Sequence, residues 1–335
     1  VECVRCGIHV EAMPWADGKS PMAKVYMSFL ATWARRLSWA ETARVFASSW
    51  DEVRRAVCWV VAHGLLYRSL EGIQAIGIDE VCYRKGHKYL TLVYQIDAGC
   101  RRLLWIAESR TEKAVAGFFE LLGTRRSQAL RVICSDMWKP YLNVIRRHAS
   151  HAINVLDKFH IVAHLNKAVD ETRRRDAAQL RRQGDHVSLK HTRWCLLKRP
   201  GNLTTRQAGR LRGLLRINLP TVRAYLLKED FTHFWTYVSP TWAGKFLDRW
   251  CRTATRSRIA PMMAKARMLQ SHRDLILNYF RAKKAYSSSV VEGLNTKVKL
   301  VTRKAFGFRK EETIKIALFH SLGRLPEPKH AHRFA

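Results

Sequence analysis

The chain has 335 residues, 47% of them apolar, which is enough to bury a globular core. Lysine and arginine number 60 against 27 aspartate and glutamate, giving a formal net charge of +33. A surplus of this size favours a polyanionic partner, with nucleic acid the first candidate and a membrane surface the second. No run of 18 apolar residues and no signal-peptide pattern occurs, so we expect a soluble, intracellular protein.

The first motif along the chain is the pair Cys3-Val-Arg-Cys6. Tetrahedral zinc needs four ligands, and one C-x2-C pair supplies two of them. Either a second pair lay upstream of Val1, or these are two ordinary thiols, so Zn²⁺ is expected only if the ribbon is completed. The other six cysteines are scattered through apolar segments, as reduced core thiols are, and we expect no disulfide framework.

Two capping boxes, Ser38-x-x-Glu41 and Ser49-x-x-Glu52, each precede an amphipathic run. They predict two short consecutive helices whose joint is short enough for a helix-turn-helix. Arg54 and Arg55 would then face outward from the second helix and contact DNA. An ordinary helical hairpin is the alternative, because the motif is permissive.

From residue 74 onward the pattern changes to strands of period two, interrupted by amphipathic helices, in the order βββαβαβα. A three-stranded meander followed by two βα units builds a mixed five-stranded sheet with helices on both faces, which is the ribonuclease H-like arrangement in the α/β class. The predicted strands cover 74–81, 88–96, 101–108, 129–134 and 152–156, and the intervening helices cover 111–122 and 137–148.

Two aspartates, Asp79 and Asp136, stand at the ends of the first and fourth predicted strands. The first strand of such a sheet is central and the fourth lies parallel beside it, so we expect the two carboxylates to meet. Each also has a purely structural alternative. Asp79 could cap a turn or pair with Arg84 or Lys85, and Asp136 could cap the helix that begins at Met137.

Strand patterns disappear between about residues 160 and 285. Residues 171–216 hold thirteen lysines and arginines against three acidic residues, interleaved with leucines. This composition predicts a basic helical insertion with a side that faces a polyanion, and Arg173, Arg174 and Arg175 are its candidate DNA contacts. The alternative is a solvated helix surface. We expect the aromatic-rich segment 231–250 to be the core of this insertion rather than a base-stacking platform.

A further helix is predicted beyond residue 285, with Glu292, Asn295 and Lys299 at positions i, i+3 and i+7. A carboxylate, an amide and a cation therefore share one side of it. The structural alternative for Glu292 is specific, because Ser289-x-x-Glu292 is itself a capping box.

Three carboxylates in one place need a cation. Two carboxylates about 4 Å apart repel by roughly 4 kcal/mol at an effective dielectric constant near 20, so a bound cation must keep both ionised. Oxygen-only ligands select Mg²⁺ or Mn²⁺. Two such ions would suit in-line phosphoryl transfer on nucleic acid.

Distinctive segments of the chain include Gly77-Ile-Asp-Glu80, Cys134-Ser-Asp-Met-Trp-Lys-Pro-Tyr141, Val291-Glu-Gly-Leu-Asn-Thr-Lys297 and Phe306-Gly-Phe-Arg309. They closely resemble the DDE transposases of bacterial insertion sequences, specifically the ISL-three family. The resemblance spans essentially the whole chain. It implies the family's acidic triad at Asp79, Asp136 and Glu292, a basic residue seven positions later at Lys299, a zinc ribbon, a helix-turn-helix and a helical insertion. The ribbon is the departure, since only one C-x2-C is present.

The sequence thus predicts a transposase that binds terminal inverted repeats and uses two Mg²⁺ or Mn²⁺ ions to cut and join DNA in the bacterial cytoplasm, as a dimer. Lys297, within the last acidic motif, is a further candidate DNA contact. A non-catalytic DNA-binding regulator or decayed element, and a ribonuclease H-like nuclease or resolvase, are the alternatives. The expected organisation is a zinc-ribbon remnant (1–12), a helix-turn-helix region (13–70), the first part of the catalytic core (71–165), the insertion (166–284), the last core helices (285–323) and a tail (324–335).

Overall fold

The structure is a computed structural model that describes residues 2–5, 7–8, 22–84, 86, 88–184, 189–284 and 289–329. The strands are β1 (Glu2–Cys3), β2 (Gly7–Ile8), β3 (Ala75–Arg84), β4 (Lys88–Asp97), β5 (Cys100–Glu108), β6 (Val132–Ser135) and β7 (Ile153–Leu156). The helices up to the end of the sheet are α1 (Lys24–Arg36), α2 (Trp39–Val45), α3 (Trp50–Tyr67), α4 (Glu112–Leu122), α5 (Thr124–Gln128) and α6 (Lys139–His148). The later helices are α7 (Lys158–Arg182), α8 (Arg193–Leu197), α9 (Thr205–Leu214), α10 (Pro220–Thr232), α11 (Pro240–Arg256), α12 (Ala260–Ser271), α13 (Arg273–Arg281), α14 (Ser289–Lys304) and α15 (Glu311–Leu322).

Strands β3 to β7 make up a mixed five-stranded sheet, and with the many helices this confirms the predicted α/β class. The chain divides into two compact units. The first comprises Val1–Leu130 and Ser289–Ala335, and the second comprises Arg131–Ser288. None of the described helices is both long enough and apolar enough to cross a membrane.

Both predicted capping boxes are present in the first unit. The Ser38 hydroxyl accepts a hydrogen bond from the backbone N–H of Glu41, the Glu41 carboxylate accepts one from the Ser38 backbone, and Ser49 and Glu52 repeat the arrangement. Each box satisfies two backbone donors that the first helical turn would leave unpaired, which is why α2 and α3 begin where they do. The buried faces of α1, α2 and α3 share one apolar cluster.

The sheet portion of the first unit is an antiparallel meander. Strand β3 pairs with β4, and β4 pairs with β5. Strand β3 continues to Arg84, three residues past the predicted end, and Gly86 in the following turn has a φ of +87°, which suits glycine. The short hairpin of β1 and β2 carries Cys3, but Cys6 and the side chain of Cys3 lie outside the described residues.

In the second unit β6 and β7 run parallel and begin later than predicted. The sequence interpretation placed a strand over 129–134, whereas β6 begins at Val132 because the short helix α5 and its turn occupy the preceding residues. Helix α6 likewise begins at Lys139 rather than Met137, since Pro140 lies in its first turn, where the missing proline N–H has no intrahelical partner to lose.

Beyond β7 the described part of the second unit is helical, as the loss of strand patterns predicts. Its core is aromatic. Phe231, Phe234 and Trp250 are each no more than 1% exposed, and the Trp250 indole N–H donates to the Leu227 carbonyl at 2.9 Å. The prediction that segment 231–250 forms the core of the insertion is therefore confirmed for these rings, while Trp242 is 60% exposed.

Candidate functional site

Asp79 lies on the face of β3 that packs against α14. Its Oδ2 accepts a hydrogen bond of 2.6 Å from the Asn295 side-chain amide, and its Oδ1 accepts one of 2.7 Å from the backbone N–H of Glu80. Two donors thus fix the orientation of the carboxylate. Asn295 was identified from the sequence only as a neighbour of Glu292 on the helix surface; the structure places it against the strand.

A buried tyrosine determines how Asn295 is oriented. The Tyr94 hydroxyl on β4 donates to Asn295 Oδ1 at 2.8 Å, and Tyr94 and Asn295 are 0% and 8% exposed. Because an ionised carboxylate only accepts hydrogen bonds, the amide nitrogen must face Asp79 and its oxygen must face Tyr94. Burial, and then the negative charge of Asp79, raise the pKa of Tyr94 well above its usual value, so the hydroxyl remains a donor.

A glycine allows the helix to lie this close to the strand. A Cβ added at Gly77 would lie 2.3 Å from Val291 Cγ2 and 3.4 Å from Ile96 Cγ2, so any other residue would displace α14. Gly77 and Asp79 are two positions apart and therefore share a face of the strand.

Glu292, Lys297 and Lys299 are all exposed on α14. Glu292 is separated from Asn295 by about 60° around the helix axis and from Lys299 by about 20°. The capping-box alternative for Glu292 depends on residues 285–288 and on the Ser289 side chain, which lie outside the described residues. The second unit carries the remaining predicted acid, Asp136, directly after β6, where its Oδ1 accepts a hydrogen bond of 3.0 Å from the backbone N–H of Trp138.

The helix that follows Asp136 has Trp138 at its N-cap, so Asp136 is not the capping residue that the structural alternative proposed. Among the described residues, no group of three or more His, Cys, Asp or Glu side chains is clustered closely enough to hold a metal ion. The proposed ligand types, two aspartates and one glutamate, nevertheless suit Mg²⁺ or Mn²⁺, because these ions prefer carboxylate oxygens.

The candidate DNA-contacting arginines differ in their exposure and in their distance from acidic residues. Arg55 is exposed, and Arg54 lies 3.5 Å from Asp51 on its own helix. Arg173 is 2.8 Å from Asp170 with only 16% of its side chain exposed. Arg174 and Arg175 expose 62% and 59% of their side chains and lie 3.6 Å and 2.7 Å from Asp170 and Glu171 respectively. Each of these three candidate arginines therefore has an acidic neighbour on the same helix.

Tyr94 is the residue of this site that sequence reasoning missed. It lies in an apolar strand, where a tyrosine ring is ordinarily core. The available signal was its hydroxyl, because a buried phenol requires a hydrogen-bond partner, but the sequence does not indicate which residue that partner is.

A family model of DDE transposases of the ISL-three type, described as "Transposase", matches residues 76–318. The chain belongs to this ISL-three family of transposases.

Curated relatives agree with the family match. The transposase for insertion sequence element IS1001 of Bordetella parapertussis is 32% identical over 272 residues, covering 81% of this chain and 66% of that protein. The transposases for insertion sequence element IS1557 of two Mycobacterium tuberculosis strains are 30% identical over 354 residues, covering 97% of this chain and 78% of theirs. The chain thus spans somewhat less than two thirds of the first relative's length.

Proposed function

We propose that the chain is the transposase of a bacterial insertion sequence, which binds the terminal inverted repeats and catalyses metal-dependent strand cleavage and strand transfer in the cytoplasm. Its catalytic core is a ribonuclease H-like domain. Asp79, Asp136 and Glu292 hold two Mg²⁺ or Mn²⁺ ions, and Lys299 contacts the DNA beside them. When bound, such ions activate a water or 3′-hydroxyl and stabilise the leaving oxygen.

The observation that carries this proposal is the hydrogen bond between Asn295 and Asp79. It joins two segments separated by 216 positions in sequence, and these are the segments in which the family pattern has its first and third acids. A carboxylate serving only as a turn cap has no need of a buried amide on a distant helix. The two hydrogen bonds to Asp79 thereby hold its carboxylate in one orientation, as a metal ligand requires.

The DNA surface that we propose includes Arg54 and Arg55 of the helix-turn-helix pair, Lys297 of α14, and Arg173, Arg174 and Arg175 of α7. We expect two copies of the chain to act together, because synapsis brings two ends of the element into one complex. A zinc ribbon contributes only where a second cysteine pair completes the ligand set of Cys3 and Cys6.

The test is a Mg²⁺-dependent nicking and strand-transfer assay on end DNA, paired with a gel shift on the same DNA. We expect Glu292→Gln, Asp79→Asn and Asp136→Asn each to lower cleavage by orders of magnitude, because each removes a charge that offsets the divalent ions. DNA binding and folding should be nearly unchanged. Glu312→Gln is the matched control, since it removes the same charge from an exposed first-turn position of α15 in the same unit.

A Glu292→Gln protein that nicks at the wild-type rate would remove Glu292 from the site. Wild-type protein that binds end DNA without cutting it in Mg²⁺ or Mn²⁺ would instead favour the non-catalytic regulator. Cutting of branched DNA without strand transfer would favour the nuclease or resolvase.

A further inference from the structure

Helix α11, in the second unit, has an exposed face on which cations form a row. Trp242, Lys245, Arg249, Arg252 and Arg256 are all exposed, and their spacing of three and four residues confines them to an arc of about 80° around the helix. The opposite face is apolar and buried in the core of that unit. The row is thus held on a helix whose position is determined by its core contacts.

These cations are not neutralised by acidic neighbours. Among the described residues, Lys245, Arg249, Arg252 and Arg256 have no acidic atom within 4 Å. Asp248 is the one acidic residue of α11, and it accepts two hydrogen bonds from Arg273, at 2.8 and 2.9 Å. This pairing is the largest cause that lowers the pKa of Asp248, and the charge of Arg252 lowers it further to a smaller extent. Asp248 is thus paired chiefly with Arg273 of α13.

Aromatic rings support two of the cations. The Lys245 ammonium lies 4.3 Å from the centroid of the exposed Trp242 ring, and the Arg249 guanidinium lies 5.4 Å from that of Phe246. Contacts of this kind restrict the side chains without consuming their charge. Beside the row lies an open depression of about 710 Å³, whose lining includes Tyr237, Trp242, Lys245, Arg249, Arg252 and Gln270.

We infer that this face of α11, which we call the α11 row, binds the phosphate backbone of duplex DNA. From Lys245 to Arg256 the row extends about 16 Å, a length over which one strand of B-DNA carries on the order of five phosphates. The inference rests on the proposed function for the identity of the polyanion. It assigns the main contact of the insertion to α11, whereas the sequence had pointed to α7.

The distinction between the two helices is physical. An arginine that already faces a carboxylate must give up that interaction to bind a phosphate, whereas a cation surrounded by water exchanges only counterions. The row should therefore account for more of the salt dependence of DNA binding than Arg173, Arg174 and Arg175 do.

The test measures binding of the full chain to a 30-base-pair duplex of unrelated sequence, by fluorescence anisotropy in EDTA at several KCl concentrations. One variant carries Lys245→Gln, Arg249→Gln and Arg252→Gln. Its comparison variant carries Arg173→Gln, Arg174→Gln and Arg175→Gln. Both variants lose three positive charges. A difference between them in the salt dependence of DNA binding therefore reflects which helix lost the charges, and not how many were lost.

We expect the α11 variant to flatten the slope of log K against log salt by about 2.7, which is 0.9 for each lost phosphate contact, and to weaken binding at least tenfold near 0.15 M KCl. The α7 variant should change the slope by less than half as much. A charge-conserving variant, Lys245→Arg with Arg249→Lys and Arg252→Lys, should keep the wild-type slope, because phosphate contact depends on charge.

An unchanged slope in the α11 variant, or an equal change in the α7 variant, overturns the assignment. Far-UV circular dichroism and the thermal midpoint confirm folding; if the triple variant fails to fold, Arg249→Gln alone should flatten the slope by about 0.9. EDTA prevents metal-dependent cleavage, so this experiment measures binding alone. A negative result here would not contradict the catalytic proposal, and a negative result in the cleavage assay would not affect this binding measurement.

Discussion

Asn295 is a buried residue that contacts the proposed metal ligand Asp79. It joins the Tyr94 hydroxyl to the Asp79 carboxylate through one buried amide that is a donor on one side and an acceptor on the other. Burying an amide without hydrogen-bond partners would destabilise the fold. Tyr94 therefore orients the Asn295 amide, and the Asn295 amide orients the Asp79 carboxylate.

Replacing Asn295 with Leu keeps the size of the side chain and removes both hydrogen bonds. We expect cleavage of end DNA to fall tenfold or more and the Mg²⁺ concentration for half-maximal rate to rise, because Asp79 is no longer oriented. Tyr94→Phe, which removes only the outer hydrogen bond, should lower cleavage by no more than a few fold. Asn295→Leu protein with wild-type rate and wild-type Mg²⁺ dependence would show that the amide has no positioning role.

At the scale of elements, α15 packs against the apolar cluster of α1, α2 and α3. Its His320 is buried, with 5% of its surface exposed. Burial lowers the pKa of His320 to about 3, with Arg35 and Lys304 contributing in the same direction and a hydrogen bond to Ala31 opposing them. The imidazole is therefore neutral in the folded protein down to about pH 3, whereas in the unfolded chain it takes up a proton below about pH 6.5.

Stability from the neutral His320 is fully present above pH 6.5 and is lost as the pH falls toward 3, because the unfolded state binds the extra proton. At pH 5 the loss is about 2 kcal/mol. Between pH 7 and pH 5, we expect His320→Gln to reduce the acid-induced loss in the free energy of unfolding, measured by urea titration, by about that amount. The same measurement on the exposed His151→Gln should match wild type. Equal acid sensitivity of wild type and His320→Gln would contradict the assignment.

At the scale of the whole molecule, the net charge of +33 should give salt two opposite effects. Without DNA, charges of one sign repel within the folded chain, so raising KCl from about 0.05 to 0.3 M should raise the thermal midpoint as screening increases. With duplex DNA, the same increase in KCl should reduce the rise in thermal midpoint that DNA binding produces, because salt weakens the binding. Thermal scans with and without duplex measure both, and a midpoint that falls with salt in the free protein would contradict the first effect.

The sequence by itself determined the features that depend on neighbours along the chain. The serine and glutamate pairs that begin α2 and α3, the period-two meander of β3, β4 and β5, and the change to helices after β7 all follow from local hydrogen bonding and from the repeat of apolar residues. Element ends were less certain where competing local structure intervened, as at α5 before β6.

Only the tertiary structure decided which groups meet across long sequence separations. Nothing local to Tyr94 or Asn295 indicates that they share a hydrogen bond, since 201 positions lie between them and the contact requires Gly77 to admit α14. The same holds for the basic insertion. Local charge density favoured α7, but the packing of the helices and their side chains decided that the arginines there face acids while the cations of the α11 row face water.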